Sequence, residues 1–220
     1  MMKYNLLVFD LDGTLLETLE DLAAAVNYSL DCSSLPLHSV DEYRKMVGHG
    51  VRNLVRSALP EEMRDDKNVD LHLARFKKYY TEHIDVHTKP YPGICELLEK
   101  LTREGSAIAV ASNKFQEGTE MLINKFFPEI PFVSVMGNRE GLPLKPDPQV
   151  IYSAMEKAAL SASARVAMIG DSATDIATGH NAGVETVAVS WGFRPRKSLE
   201  LAEPDAIADN VEGLAALLLA

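Results

Sequence analysis

Apolar residues cluster in short continuous runs along much of this chain. Leu6-Leu7-Val8-Phe9 is such a run, ending at Asp10, and others follow at Ala107–Ala111, Phe132–Met136, Val166–Ile169 and Thr186–Val189. Runs this short, without alternation, suit strands buried on both faces. Helical periodicity fills the gaps, as in Ile94–Arg103 with Gly105 just beyond it, and in Pro148–Ala159. Strands alternating with helices predict a parallel sheet covered on both sides. The stretch from Leu16 to Val86 breaks the alternation: Leu19, Leu22, Ala23 and Val26, then Leu54, Val55 and Ala58, then Leu71 to Ile84 keep helical spacing, and no convincing strand intervenes. The proline-rich Lys89-Pro90-Tyr91-Pro92-Gly93 reads as a connector back to the sheet. The expected fold is therefore α/β, a Rossmann-like parallel sheet core formed by 1–15 and 89–220, with an all-helical domain inserted at 16–88.

Charge narrows the partners. Lys and Arg number 22 against 32 Asp and Glu, a net −10, which repels a nucleic-acid backbone or an anionic membrane. No apolar run approaches the roughly 18 residues of a membrane span. Cys32 and Cys95 form no metal-binding spacing, as expected of two inert thiols in a reducing cytoplasm. Met1-Met2-Lys3-Tyr4-Asn5 lacks the character of a secretory leader. A cytoplasmic protein is expected.

Four pieces carry chemistry. In Asp10-Leu11-Asp12-Gly13-Thr14 the two carboxylates lie two residues apart at a strand end, so they face one pocket, at the sheet edge where open α/β proteins bind ligands. The bland alternative is a polar strand-to-turn transition. Ser112-Asn113 offers a hydroxyl and backbone N–H groups for phosphate oxygens, or simply caps a helix. In Lys145-Pro146-Asp147-Pro148 the prolines stiffen a loop presenting Lys145, which taken alone could equally be a solvated surface lysine. Gly170-Asp171-Ser172-Ala173-Thr174-Asp175 adds two carboxylates after a strand. Carboxylates gathered this way repel one another unless a hard divalent cation joins them, and oxygen-only ligands suit Mg²⁺.

The order of these four motifs, each after a strand-like run, resembles the haloacid dehalogenase superfamily of phosphohydrolases. The helical insertion looks like that superfamily's cap. Finer features are similar to the phosphoglycolate phosphatases: Thr18-(x)2-Asp21-Leu22, Val47-Gly48-His49-Gly50, Lys89-Pro90-Tyr91-Pro92-Gly93, and Asp175-Ile176 through Asn181-Ala182-Gly183. Position 17 is Glu, where relatives usually carry Asp.

The resemblance implies that Asp10 is the nucleophile, Asp12 the general acid and base, and Lys145 a catalytic cation. Ser112, Asn113 and Lys145 would hold phosphate, and Asp10, Asp12 (through its carbonyl), Asp171 and Asp175 would hold Mg²⁺. In the cap, His49 and Arg52 are the candidates for reading the substrate; the alternative is that Gly48 and Gly50 only separate helices and Arg52 is a surface charge. The implied reaction is hydrolysis of a small phosphorylated metabolite, 2-phosphoglycolate first, by a monomer or homodimer. A pyrophosphatase, another sugar or nucleotide phosphatase, or a β-phosphoglucomutase-like isomerase are the alternatives. Gly170 in place of the isomerases' Glu favours hydrolysis.

Overall fold

The computed structural model describes residues 3–161 and 163–219. From the N-terminus, β1 (Leu6–Phe9) and β2 (Leu16–Glu17) lead into four helices, α1 (Leu19–Asp31), α2 (Val40–Met46), α3 (Val51–Ala58) and α4 (Asp66–Glu82), with one 3₁₀ turn at Glu61–Met63. The chain returns through β3 (Lys89–Pro90). The remainder alternates: α5 (Ile94–Arg103), β4 (Ala107–Phe115), α6 (Gln116–Phe126), β5 (Phe132–Asn138), α7 (Gln149–Lys157), β6 (Val166–Gly170), α8 (Ala173–Ala182), β7 (Glu185–Val189), α9 (Arg196–Glu200), β8 (Ala206–Ala208) and α10 (Val211–Leu219). The protein is an α/β fold with a Rossmann-like parallel core and an inserted helical cap, as the hydrophobic pattern predicts. No helix among the described residues is long and apolar enough to cross a membrane.

The main sheet runs β5-β4-β1-β6-β7-β8, every neighbouring pair parallel. β1 lies inside it, flanked by β4 and β6, so all four of its side chains are buried. Alternate residues feed opposite faces: Leu7 and Phe9 join the larger core cluster, Leu6 and Val8 the other. Each such buried aliphatic or aromatic side chain contributes about 1.5–3 kcal/mol. Two short pairings escape the sequence pattern. β8 is only Ala-Ile-Ala, and the expected connector at Lys89-Pro90 is a strand, pairing antiparallel with β2 as a neck between cap and core.

The cap's helices follow local signals. Ser39 and Glu42 form a reciprocal capping box at α2, and Asp65 caps α4 by accepting from Asn68 N at 3.1 Å. On α4, Val69, His72, Phe76 and Tyr80 are buried at helical spacing, and this helix packs on α1. Asp21, near the start of α1, ties the neck together. Its carboxylate accepts from His87 N at 3.0 Å and Thr88 N at 2.8 Å, two backbone donors on the returning chain. Replacing it leaves both N–H groups without that acceptor in a buried position. Asp21→Ala is expected to lower unfolding stability by about 2–3 kcal/mol in urea titration.

Candidate active site

β1 ends at Phe9, Asp10 follows it, and the chain turns at once. Gly13 has φ +84°, and a Cβ there would stand 2.5 Å from Asp171 Oδ2, so both the turn and the approach of Asp171 need glycine. Gly192 is equally constrained from the other side, with a Cβ 2.3 Å from that of Asp171. Asp10 and Asp12 line one cavity of about 50 Å³ at the C-terminal edge of the sheet, together with Ser112, Lys114, Lys145 and Asp171. The two carboxylates share the pocket as their spacing predicts, but they do so from the turn beyond β1 rather than from the strand itself.

Three carboxylates, of Asp10, Asp171 and Asp175, present oxygens within 4.8 Å of one another, and all three residues are buried. Lys145 holds two of them, with Nζ 2.9 Å from Asp10 Oδ1 and 2.6 Å from Asp175 Oδ1. It is buried, so it is not the surface lysine its sequence context allowed. Burial disfavours its ammonium, yet Asp10 and Asp175 outweigh that and raise its pKa. Asp175 is fully engaged, its Oδ2 accepting from Ser172 N at 3.1 Å and Ser172 Oγ at 2.6 Å at the start of α8. Asp10 Oδ1 also accepts from Leu11 N at 2.7 Å, and Asp171 Oδ2 from Phe193 N at 2.6 Å. Among the described residues no hydrogen bond reaches Asp10 Oδ2 or Asp171 Oδ1. Burial, then the charge of Asp175, pushes Asp10 up to about 7 against the pull of Lys145. Burial and the charges of Asp175 and Asp10 likewise hold Asp171 well above the usual carboxylate range. A hard divalent cation fits this donor set, because it would satisfy the open oxygens and relieve the repulsion.

The end of β4 supplies the next layer. Ser112 lines the cavity, and neither it nor Asn113 caps α6, whose N-cap is Phe115 without a side-chain bond. The Asn113 amide is engaged with backbone. Its Nδ2 donates to Gly48 O and Lys145 O, each at 3.2 Å, and its Oδ1 accepts from Lys145 N at 2.9 Å. It therefore joins the Lys145 loop to the cap. Lys114 follows, buried, its Nζ 3.0 Å from Asp12 Oδ1 and 4.7 Å from the Tyr80 ring centroid on α4. Thr18 Oγ1 donates to the same Asp12 oxygen at 2.7 Å. Sequence inspection passed over Lys114; its adjacency to Ser112-Asn113 was the available signal.

Above the site the cap is closed. Arg194, on the loop after β7, lines the cavity and donates through both terminal nitrogens to the Arg44 and Val47 carbonyls at the C-terminus of α2. The two cap residues expected to read the substrate do not line the cavity. His49 is exposed, and Arg52 turns to α4, pairing with Asp66 at 2.9 Å and with Asp70. The correction follows from helix geometry. Val51 and Leu54 occupy the cavity face of α3, and Arg52 stands about 100° around the helix from Val51.

A family model for haloacid dehalogenase-like hydrolases matches residues 7–189. The chain belongs to the haloacid dehalogenase-like hydrolases. It is 35% identical over 217 residues to a phosphoglycolate phosphatase of Mesorhizobium japonicum, covering 97% of this chain and 94% of that one. A phosphoglycolate phosphatase of Agrobacterium fabrum is 32% identical, with 95% and 90% covered. Among solved structures, a Lactobacillus delbrueckii protein provisionally assigned as a phosphoglycolate phosphatase superposes with a TM-score of 0.91 at 30% identity, covering 99% of each chain. This haloacid dehalogenase-like hydrolase is a phosphoric monoester hydrolase of the phosphoglycolate-phosphatase-like type, with a buried aspartate triad able to coordinate a divalent metal.

The raised Asp10 and Asp171 pKa values fix the sign of a stability effect. The folded state retains these protons to higher pH than the unfolded chain does. Metal-free protein is therefore expected to lose stability as pH rises from about 4 through 7, because Asp10 and Asp171 must ionise in place. Added Mg²⁺ should raise the Tm more at pH 7.5 than at pH 5.5, as scanning calorimetry at both pH values would register. An equal increment at the two pH values would contradict this account.

Proposed function

We propose that this enzyme hydrolyses 2-phosphoglycolate to glycolate and phosphate, with Mg²⁺ as its cation, through an aspartyl-phosphate on Asp10. The observation that carries the substrate is the distribution of polarity in the cavity. Its carboxylates and lysines come from the core and Arg194 is engaged with cap carbonyls, whereas Leu22, Val47, Val51, Leu54, Phe76 and Phe115 line much of the rest. Those side chains offer no partners for hydroxyl groups. A hexose or nucleoside phosphate would bury several unpaired donors and acceptors there, at about 1–3 kcal/mol each. A two-carbon leaving group reaches less of that wall, and its one polar group, the carboxylate, stays close to the ester oxygen and so to the charged end of the cavity. The full-length similarity to phosphoglycolate phosphatases points the same way.

In this reading Asp10 Oδ2, which carries no hydrogen bond, attacks phosphorus while Lys145 keeps Oδ1 in place. Asp12, fixed by Thr18 and Lys114, gives its proton to the departing oxygen. Glycolate leaves, and Asp12 then accepts a proton from the water that opens the acyl phosphate, restoring Asp10. The hydroxyl of Ser112, beside Lys145, holds the transferring oxygens; Asn113 contributes by fixing the Lys145 loop rather than through its amide. A cation held by Asp10, Asp171 and the Asp12 carbonyl supplies positive charge against which a carboxylate can approach a phosphate dianion. Asp175 supports that arrangement through Lys145 and Ser172. We place the enzyme in the cytoplasm, consistent with an exposed free thiol at Cys32, acting as a monomer or homodimer.

Two measurements test the proposal. Asp10→Asn is expected to abolish turnover while leaving the circular dichroism spectrum unchanged, since the amide is nearly isosteric but no nucleophile. In a kcat/KM panel of phosphoglycolate, pyrophosphate, hexose phosphates and nucleoside monophosphates, phosphoglycolate should lead by at least tenfold. A lead by a hexose phosphate would overturn the substrate assignment, and turnover by Asp10→Asn the covalent mechanism.

A further inference from the structure

We infer that Lys114 recognises a carboxylate on the leaving group, so that the site selects phosphate esters of short 2-hydroxy acids. The inference rests on the phosphatase reading above and names the residue that sets its substrate class.

Three cationic side chains line the cavity, and they differ in how completely they are engaged. Lys145 is gripped by two carboxylates. Arg194 directs its terminal nitrogens at two cap carbonyls. Lys114 bonds a single carboxylate, Asp12, with Oδ1 at 3.0 Å and Oδ2 at 3.3 Å, and its ammonium rests against the Tyr80 ring. An ammonium has three protons, so Lys114 keeps donor capacity while lining the cavity. Tyr80 itself does not line the cavity, and its buried hydroxyl has no hydrogen-bond partner among the described residues.

Position determines what Lys114 can bind. Asp12 serves the leaving oxygen, and Lys114 is in direct contact with Asp12. The groups these two residues address on one substrate must therefore be neighbours. In the phosphate ester of a 2-hydroxy acid, the ester oxygen and a carboxylate oxygen are separated by only two carbon atoms. A substrate whose second anion lies further along its chain would not present it to Lys114 while its ester oxygen is at Asp12, and Leu22, Leu54 and Phe76, which line the same cavity, offer that anion no donor. An ammonium already seated on an aromatic face in a water-poor cavity makes a stronger bond to a carboxylate than a surface lysine would.

The test compares phosphoglycolate with ethyl phosphate, which has the same carbon chain and no carboxylate, in wild type, Lys114→Met and Lys114→Arg. Lys114→Met should reduce kcat/KM for phosphoglycolate by about 10- to 150-fold, mainly through KM, because the contact exists before and during the reaction. The loss on ethyl phosphate should be at least fivefold smaller, and Lys114→Arg should restore part of the phosphoglycolate activity. Equal losses on both substrates would overturn the inference, reducing Lys114 to a support for Asp12. If Lys114→Met fails to fold, wild-type inhibition decides: glycolate should compete far better than ethylene glycol, and equal competition overturns the inference. The two readings fail separately. A wild type that prefers 2-phospholactate to phosphoglycolate, with the same Lys114 dependence, would end the phosphoglycolate assignment and leave the role of Lys114 standing.

Discussion

Lys145 sits between Asp10 and Asp175 where little water reaches, and three charges can be buried together there because each lies within hydrogen-bond reach of another. Much of the site's architecture serves that contact. Asp175 is fixed by Ser172 at the start of α8, Lys145 by the Asn113 amide at the end of β4, and Asp10 by the central strand. Three segments far apart in the chain thus converge on one ammonium. The nucleophile's second oxygen is left open while its first is held, which divides positioning from reactivity within one carboxylate.

The same economy governs the cap. Three of its contacts with the core are made by groups that also belong to the site: Asn113 to Gly48, Arg194 to the end of α2, Lys114 to Tyr80. Closure and assembly of the catalytic cavity are consequently coupled, since each cross-contact positions a cavity-lining side chain. Arg194 binds carbonyls at a helix C-terminus, where the negative end of the helix dipole favours a cation.

How much of this could be read from the sequence depends on range. Strands whose residues are buried on both faces leave continuous apolar runs, so β1, β4, β6 and β7 are legible, as is the apolar edge strand β5; Asp10, Asp12 and Asp171 declare themselves just after strands, and Asp175 in the first turn of α8. β8 is too short to leave a run, and β2 and β3 owe their pairing to each other. The cap residues were harder. His49 and Arg52 drew attention because a glycine-flanked loop resembles a binding turn, but helical phase gives the cavity to Val51 and Leu54, and Asp66 and Asp70 claim the arginine. Lys114 is invisible for the opposite reason. Its partners, Asp12 and Tyr80, lie far from it in sequence, so no local spacing marks the lysine as buried.

The placement of β1 has a consequence for how the protein is made. Leu6 pairs with Ala107 on one side and Val166 on the other, so β1 must wait through most of the chain's synthesis for its second neighbour. The helices α1 to α4 lie between these partners in sequence and pack largely on one another, so they can settle while β1 waits. The order has a chemical side. Asp10 is made well before Lys145 and Asp175, and meets them only after β6 has paired with β1. Until then its carboxylate remains an ordinary solvated group, and the reactive centre comes into being with the closing of the fold.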